Sequence, residues 1–388
     1  MTNQRNRIFW AIALQVTIAN FYLGGFGPAQ PLLRAQQHTS LTVAGLHGTA
    51  LGIAAILAGF ATPRLVHRFG RPTSSWLGLS LLSAGVLMFV FFPPVQLTLF
   101  ATLVVGLGSA LVVNSMVTQL SHHFPVNSSG PISQASGVAS AGYVLGTLIV
   151  GAIAGTTFSW RIGLLLVIPA SVVLYVATKD AIATEHTPDK NGPQRGSLNG
   201  KFWIAWIGFV ACISSEFATT FWAAALVRNR VGSSASVSTI CIVALGVGMG
   251  LGRWFGPQIL RRYSLDFQIK AVMLVQFLGF GILWFSHTMW ISLLALLTVG
   301  LGLSMQFALA SLRLIGFSQG RPDLAIAKSS LGTGVAIALA PFLLGVLGDH
   351  LGISRAYLMV PVLIIVAFST IATIPSTYTT QEELNSVI

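Results

Sequence analysis

The chain has 388 residues, of which 54% are hydrophobic and only 8% are charged. A water-soluble domain carries roughly 25% charged residues, so the composition excludes a soluble fold. The formal net charge of +12 is not a nucleic-acid signal, because the Lys and Arg residues fall between apolar runs on alternate loops, which is the pattern of membrane topology.

In chain order, apolar stretches long enough to cross about 30 Å of hydrocarbon are predicted at 8–33, 41–62, 74–93, 96–119, 132–156, 162–178, 202–227, 235–256, 267–286, 290–314, 324–347 and 355–375. The first follows MTNQRNR and runs to Leu33. That exceeds the apolar core of a cleaved signal peptide, roughly 7–15 residues, so it reads as a spanning helix. Turn residues support the breaks: Phe92-Pro93-Pro94, Ser128-Ser129-Gly130-Pro131 and Gly320-Arg321-Pro322. The one long polar stretch, 179–200, is rich in Pro, Gly and charge, and has nothing to bury. The expected organisation is therefore a six-helix bundle at 1–178, a linker at 179–200 and a second six-helix bundle at 201–388.

With the N-terminus inside, 16 of the 21 Lys and Arg residues, Arg253 among them, fall on the cytoplasmic side; Arg34, Arg161, Arg228, Arg230 and Arg355 fall outside. This obeys the positive-inside rule. Both termini and the linker are thus expected in the cytoplasm, with the chain a multi-pass monomer in the cell membrane.

The two halves repeat at a constant offset of 194 residues. ATLVVGLGSA at 101–110 aligns with ALLTVGLGLS at 295–304, PRLVHRFG at 63–70 with PQILRRYS at 257–264, Gly151 with Gly345, and Arg161 with Arg355. A duplicated membrane protein places a pseudo-twofold axis through its centre, and a site between the halves can be opened to either side. Glycines recur inside the predicted helices, as at Gly137, Gly142, Gly146, Gly151 and Gly155. In lipid such small residues let backbones approach closely.

The segment Pro63-Arg64-Leu65-Val66-His67-Arg68-Phe69-Gly70-Arg71-Pro72 resembles the loop signature of the major facilitator superfamily, G-x-x-x-D-[RK]-x-G-R-[RK]. Arg68, Gly70 and Arg71 match. Pro63 replaces Gly, His67 replaces Asp, and Pro72 replaces a base. The resemblance extends over the chain through the twelve helices, the repeat and the linker. It implies an all-α fold of two pseudo-symmetric six-helix bundles, and a gating loop formed by His67, Arg68, Gly70 and Arg71. The loss of the Asp removes the fixed negative charge of the usual gating pair. Thr102 stands where many relatives carry Arg. Gly151 stands at the Pro of the Gly-Pro pair found in drug/proton antiporters. Both departures speak against drug efflux.

Glu216 is the one acidic residue deep in a predicted span. An ionisable group there is costly and marks a site by default, and a low dielectric favours the neutral form of a carboxyl, which suits a group that loads and releases a proton. With Trp222 it forms an E-x5-W pattern similar to that of fucose-permease-like facilitators. The resemblance also implies that helices 1, 4, 7 and 10 line a central cavity. Their polar residues near mid-depth are Gln15, Asn20, Tyr22, Gln30, Asn114, Ser215 and Gln306, able to read a small polar solute through donors and acceptors. Tyr22 and Glu216 are repeat partners. His47 reads as a packed neutral histidine, and Lys328 and Arg313 as cations that snorkel to the cytoplasm, with entry of Lys328 into the cavity to meet an anionic substrate as the alternative.

Cys212 and Cys241 lie in apolar runs, and no His/Cys/carboxylate cluster has metal-ligand spacing, so neither a metal nor a cofactor is expected. No Walker-type loop or nucleophile elbow occurs. The residues therefore point to a non-enzymatic secondary transporter of a small organic solute, proton-coupled through Glu216, with symport favoured over drug antiport. An uncoupled facilitator, a metabolite or drug exporter and a non-transporting membrane sensor are the alternatives.

Overall fold

A computed structural model describes residues 7–123, 129–182, 196–260 and 262–376. Every regular element among them is helical. In lipid the backbone has no water to bond, so a helix, which satisfies its own N–H and C=O groups, is the structure an apolar run must take.

Twelve helical stretches have the length and hydropathy to cross a membrane. Spans 1 to 6 are Arg7–Phe26, Leu41–Thr62, Arg71–Phe91, Val95–Val117, Gln134–Ala154 and Trp160–Lys179. Spans 7 to 12 are Gly200–Val231, Ala235–Leu260, Leu265–Phe285, Met289–Gly316, Leu324–Leu351 and Ile353–Thr373. Several start on a side-chain cap. Ser40 accepts from the Val43 amide at 3.2 Å and Asn199 from the Phe202 amide at 2.9 Å, each satisfying an amide that the first helical turn leaves open.

The first predicted helix, 8–33, is in fact two. The helix breaks after Phe26, and a second runs Gln30–Gln37. Gly27 and Pro28 occupy the break; proline supplies no N–H and pushes its predecessor out of helical geometry. Span 10 likewise divides into Met289–Leu303 and Gln306–Gly316. The helix of span 6 continues to Ile182, into the predicted linker. Residues 183–195 lie outside the described residues.

The 194-residue repeat recurs in the packing. Span 1 lies on span 5 as span 7 lies on span 11; span 2 lies on span 4 as span 8 lies on span 10. The halves meet through span 2 against span 11 and through its pseudo-symmetric counterpart, span 8 against span 5. Glycine permits the closest approaches. A Cβ on Gly142 would overlap the Thr17 carbonyl of span 1, and one on Gly24 would overlap the Tyr143 carbonyl of span 5. Large apolar side chains, such as Phe60, Phe91, Phe285 and Trp290, point outward and are well exposed, as a lipid-facing surface requires.

The two halves are closed on the side away from the termini. There Gly345 packs on the Leu41 carbonyl and its repeat partner Gly151 on Ile240. Ser236 donates to the Gly151 carbonyl at 2.6 Å, and the Thr49 hydroxyl to the Ala338 carbonyl at 2.8 Å. Towards the termini side a Cβ on Gly59 of span 2 would meet nothing within 4 Å, whereas one on Gly137 of span 5 would stand 3.6 Å from the Trp254 ring of span 8.

Candidate functional site

Glu216 sits at the middle of span 7, and its partner is Arg253 of span 8. A guanidinium nitrogen lies 3.7 Å from the carboxylate, with the Glu216 side chain 14% and the Arg253 side chain 20% exposed. The Arg253 Nη1 also donates to the Ser140 hydroxyl of span 5 at 2.9 Å, and its Nε to the Ser304 carbonyl of span 10 at 3.3 Å. One cation thus joins the mid-membrane acid to the opposite half of the protein. The closeness of spans 5 and 8 makes this reach possible: a Cβ on Gly250 would stand 3.4 Å from Ser140. Tyr143, one turn along span 5 from Ser140, lies within electrostatic reach of Glu216, and its hydroxyl is buried without a hydrogen-bond partner.

Arg253 was expected in the cytoplasm and lies instead inside span 8. The helix extends to Leu260, seven residues past Arg253, which puts that residue about 10 Å inside the helix end. A predicted end at residue 256 left it at the boundary. Arg313 is a second correction. It does not snorkel: it is 3% exposed and paired with Asp266 of span 9 at 3.1 Å. The same Asp266 accepts from the Ser376 amide at 2.7 Å. Lys328 is half-buried, with its ammonium 5.9 Å from the Trp203 ring centre.

The other residues predicted for the cavity are placed as follows. Gln15 is buried and accepts from the Ser75 hydroxyl. Gln306 is buried and donates to Gln276 Oε1 at 2.7 Å; Gln276 in turn donates to the Ser215 hydroxyl at 3.2 Å. Trp222 is buried with its indole N–H on the Pro341 carbonyl at 2.8 Å. Tyr22 is buried and stacks on Phe26 at 5.3 Å. Gln30 is buried at the start of the helix Gln30–Gln37. Asn20 and Asn114 are half-buried, and Asn114 donates to the Thr62 hydroxyl at 3.3 Å. The structure thus groups Glu216 with Arg253, Ser140 and Tyr143. Gln15, Ser215, Trp222 and Gln306 are engaged in hydrogen bonds between helices.

His47 is fully buried, with its ring nitrogens 3.2 Å from the Ala44 carbonyl and 3.0 Å from the Thr98 hydroxyl. At the signature loop, Gly70 is buried with φ of +82°, a value that favours glycine. It ends one helix and starts the next. Arg68 is exposed, with its guanidinium 5.3 Å from the Phe69 ring centre, and Arg71 is half-buried. The His67 side chain lies outside the described residues. Among the described residues no group of three or more His, Cys, Asp or Glu side chains is placed to hold a metal ion. The apolar groove of Phe277, Leu278, Gly281, Ile282, Phe285 and Ile291 faces outward on span 9 and carries no charged group.

The sequence pattern described as Major Facilitator Superfamily matches residues 12–318. The chain belongs to the major facilitator superfamily. No curated protein sequence matches it. Among solved structures it is similar to the nucleoside transporter NupG, with a TM-score of 0.72 and 14% identity over 96% of this chain and 99% of that one. A point variant of NupG matches with a TM-score of 0.74 and 12% identity over 94% and 98% of the two chains. At such identity the likeness establishes the fold. A major facilitator transporter of twelve spans in two pseudo-symmetric bundles is the architecture that the sequence implied.

Proposed function

We propose that this major facilitator is a proton-coupled secondary transporter, a symporter that moves a small organic solute by rocking residues 1–178 against 201–388 about a central site. The observation that carries the reading is the Glu216–Arg253 pair, 3.7 Å apart at mid-membrane and linked through Ser140 to the other half. Among the described residues Glu216 is the one carboxylate deep within a span; Asp266 and Asp349 sit near span ends. A proton on Glu216 weakens its hold on Arg253, and Arg253 touches the interface that must move. Closure of the halves on the side away from the termini fits one end-state of alternating access. The reading also takes the chain as a monomer in the cell membrane, with both termini and the 179–200 linker in the cytoplasm.

The test is Glu216→Gln in proteoliposomes, with nucleosides, named for the structurally similar transporter, and small organic acids as the first solutes. Gln reproduces the shape of the protonated acid. The variant is expected to lose accumulation driven by a pH step while retaining solute exchange without a gradient. Continued pH-driven accumulation would leave Glu216 a structural group, and pH-independent transport by the unaltered chain would favour an uncoupled facilitator.

A further inference from the structure

We propose that the apolar groove at the outer end of spans 9 and 10 holds one phospholipid of net negative charge, an acyl chain lying along the groove and the phosphate resting on the guanidinium of Arg230. The groove is formed by Phe277, Leu278, Gly281, Ile282 and Phe285 of span 9 and Ile291 of span 10, and its volume is about 500 Å³. Sites that hold small ligands measure roughly 300–1,000 Å³. Gly281 keeps it open: a Cβ there would meet nothing within 4 Å. At a rise of 1.5 Å per residue, Phe277 to Phe285 extend about 12 Å along the helix. That is most of one leaflet of a hydrocarbon core about 30 Å thick. Span 9 ends at Phe285, so the groove runs out to the boundary of the membrane on the side away from the termini.

The cation beside the groove selects a phospholipid over an uncharged apolar molecule. Arg230 stands in the last turn of span 7, on the side where the positive-inside rule disfavours a basic residue. The negative end of the helix dipole suits a cation there. Arg230 nevertheless turns away from that end, and its guanidinium carbon lies 4.3 Å from the Trp284 ring centre. Trp284 is one turn along span 9 from Gly281, so the two are neighbours on the surface of that helix. The Arg230 Nε is buried without a hydrogen-bond partner. Among the described residues the acid on this side, Asp349, is held by Leu41 and Thr42. Arg230 is thus a cation with an open donor beside an apolar channel. A planar guanidinium takes phosphate oxygens through two parallel N–H bonds, and the headgroup layer supplies phosphate at this depth. Trp290, 80% exposed at the start of span 10, marks that layer, where Trp side chains gather.

Other occupants fit less well. A sterol or a diacylglycerol would fill the groove and leave Arg230 without a counter-charge. A second copy of the chain, placed groove on groove about a twofold axis, would bring both Arg230 side chains to one interface with no acid among the groove residues to separate them. A phospholipid meets both demands at once, with its chain in the apolar channel and its phosphate at the rim.

The experiment uses the full chain, freed of lipid in detergent and titrated with phosphatidylglycerol, phosphatidylcholine or dioleoylglycerol, with bound lipid counted by native mass spectrometry. One phosphatidylglycerol is expected to bind severalfold more tightly than phosphatidylcholine, and dioleoylglycerol not to be retained. Arg230→Gln is expected to weaken that phosphatidylglycerol about tenfold or more, the effect of losing a hydrogen bond to a charged group. Gly281→Phe fills the groove without touching Arg230 and is expected to remove the same lipid, with the melting temperature in lipid-free detergent unchanged. Arg64→Gln takes an equal charge from the termini side and is expected to leave the lipid in place. The proposal is overturned if no lipid is held tightly, or if the tight lipid survives either Arg230→Gln or Gly281→Phe. Equal losses in Arg230→Gln and Arg64→Gln overturn it in favour of general charge attraction. Equal retention of dioleoylglycerol, or a dimer that Gly281→Phe dissociates, overturns it in favour of an uncharged lipid or a second copy. The assay reads no solute, so it stands or falls separately from the proton-coupled reading.

Discussion

Asp349 holds Thr42 twice across the boundary between the two halves. Its carboxylate accepts from the Thr42 amide at 2.7 Å and from the Thr42 hydroxyl at 2.6 Å, while its other oxygen accepts from the Leu41 amide at 2.8 Å. Leu41 and Thr42 open the first turn of span 2. A carboxylate from span 11 therefore caps a helix of the opposite half at its positive end. Gly345, one turn earlier, lets the two backbones come together. This latch lies on the closed side of the protein.

Replacing Asp349 by Ala is expected to loosen that side without unfolding either half. A helix-capping carboxylate contributes about 0.5–2 kcal/mol, so the closed form should lose roughly two- to thirtyfold in population. A cysteine placed at Thr49 in a background lacking Cys212 and Cys241 reports this. Its labelling by an impermeant thiol reagent from the side of Asp349 should rise by that factor. Unchanged labelling would make the cap a local helix feature with no part in closure.

The close contact at Gly142 yields a packing prediction. A side chain there would strike the Thr17 carbonyl of span 1. Gly142→Val is expected to destabilise the first half by about 1–3 kcal/mol or more, the usual cost of overpacking. It should be seen as a lower melting temperature in detergent and poor recovery. Gly281→Val is the control, because a Cβ there meets nothing within 4 Å; it should change neither.

Much of this architecture was legible because a membrane imposes long apolar runs, and because the repeat places equivalent contacts 194 residues apart. The breaks within spans were less legible. Gly27 and Pro28 lie inside an apolar stretch, so hydropathy alone carried the predicted helix through them. Of the site, Glu216 stood out because an acid at mid-membrane is costly. Arg253 did not, because a basic residue near a span end is also what topology requires, and the misplaced end of span 8 removed the distinction. Gln15 and Gln306 carry the same chemistry whether they read a solute or join helices. Sequence registers their depth, and only the fold shows Ser75 and Gln276 opposite them.

The Arg313–Asp266 pair should be structural. Arg313 is buried, and its partners are Asp266 and the carbonyls of Thr370 and Ile374. It ties spans 9, 10 and 12 together on the termini side. Asp266→Asn leaves the guanidinium without its counter-charge, and breaking a buried pair from one side costs about 3–5 kcal/mol; the partial exposure of Asp266 places the expected loss at the lower end. Thermal melts should show that loss. The double variant Asp266→Asn with Arg313→Gln should recover part of it, because no charge is then left unpaired.

The signature loop should act in the state closed on the termini side. Arg68 is exposed, and among the described residues neither Arg68 nor Arg71 makes an ion pair or hydrogen bond across the halves. When that side closes, the two cations approach helix ends of the second half, where carbonyls carry partial negative charge. Arg64 is exposed as well, but its guanidinium returns to the Phe60 carbonyl of its own helix at 3.3 Å. Arg68→Ala is therefore expected to slow solute uptake severalfold, and Arg64→Ala to leave it nearly unchanged. Both substitutions are on exposed surface and should shift stability by no more than about 0.5 kcal/mol, so equal melting temperatures with unequal transport rates would assign Arg68 to the conformational step. Equal rates in the two variants would reduce the loop to a topology signal.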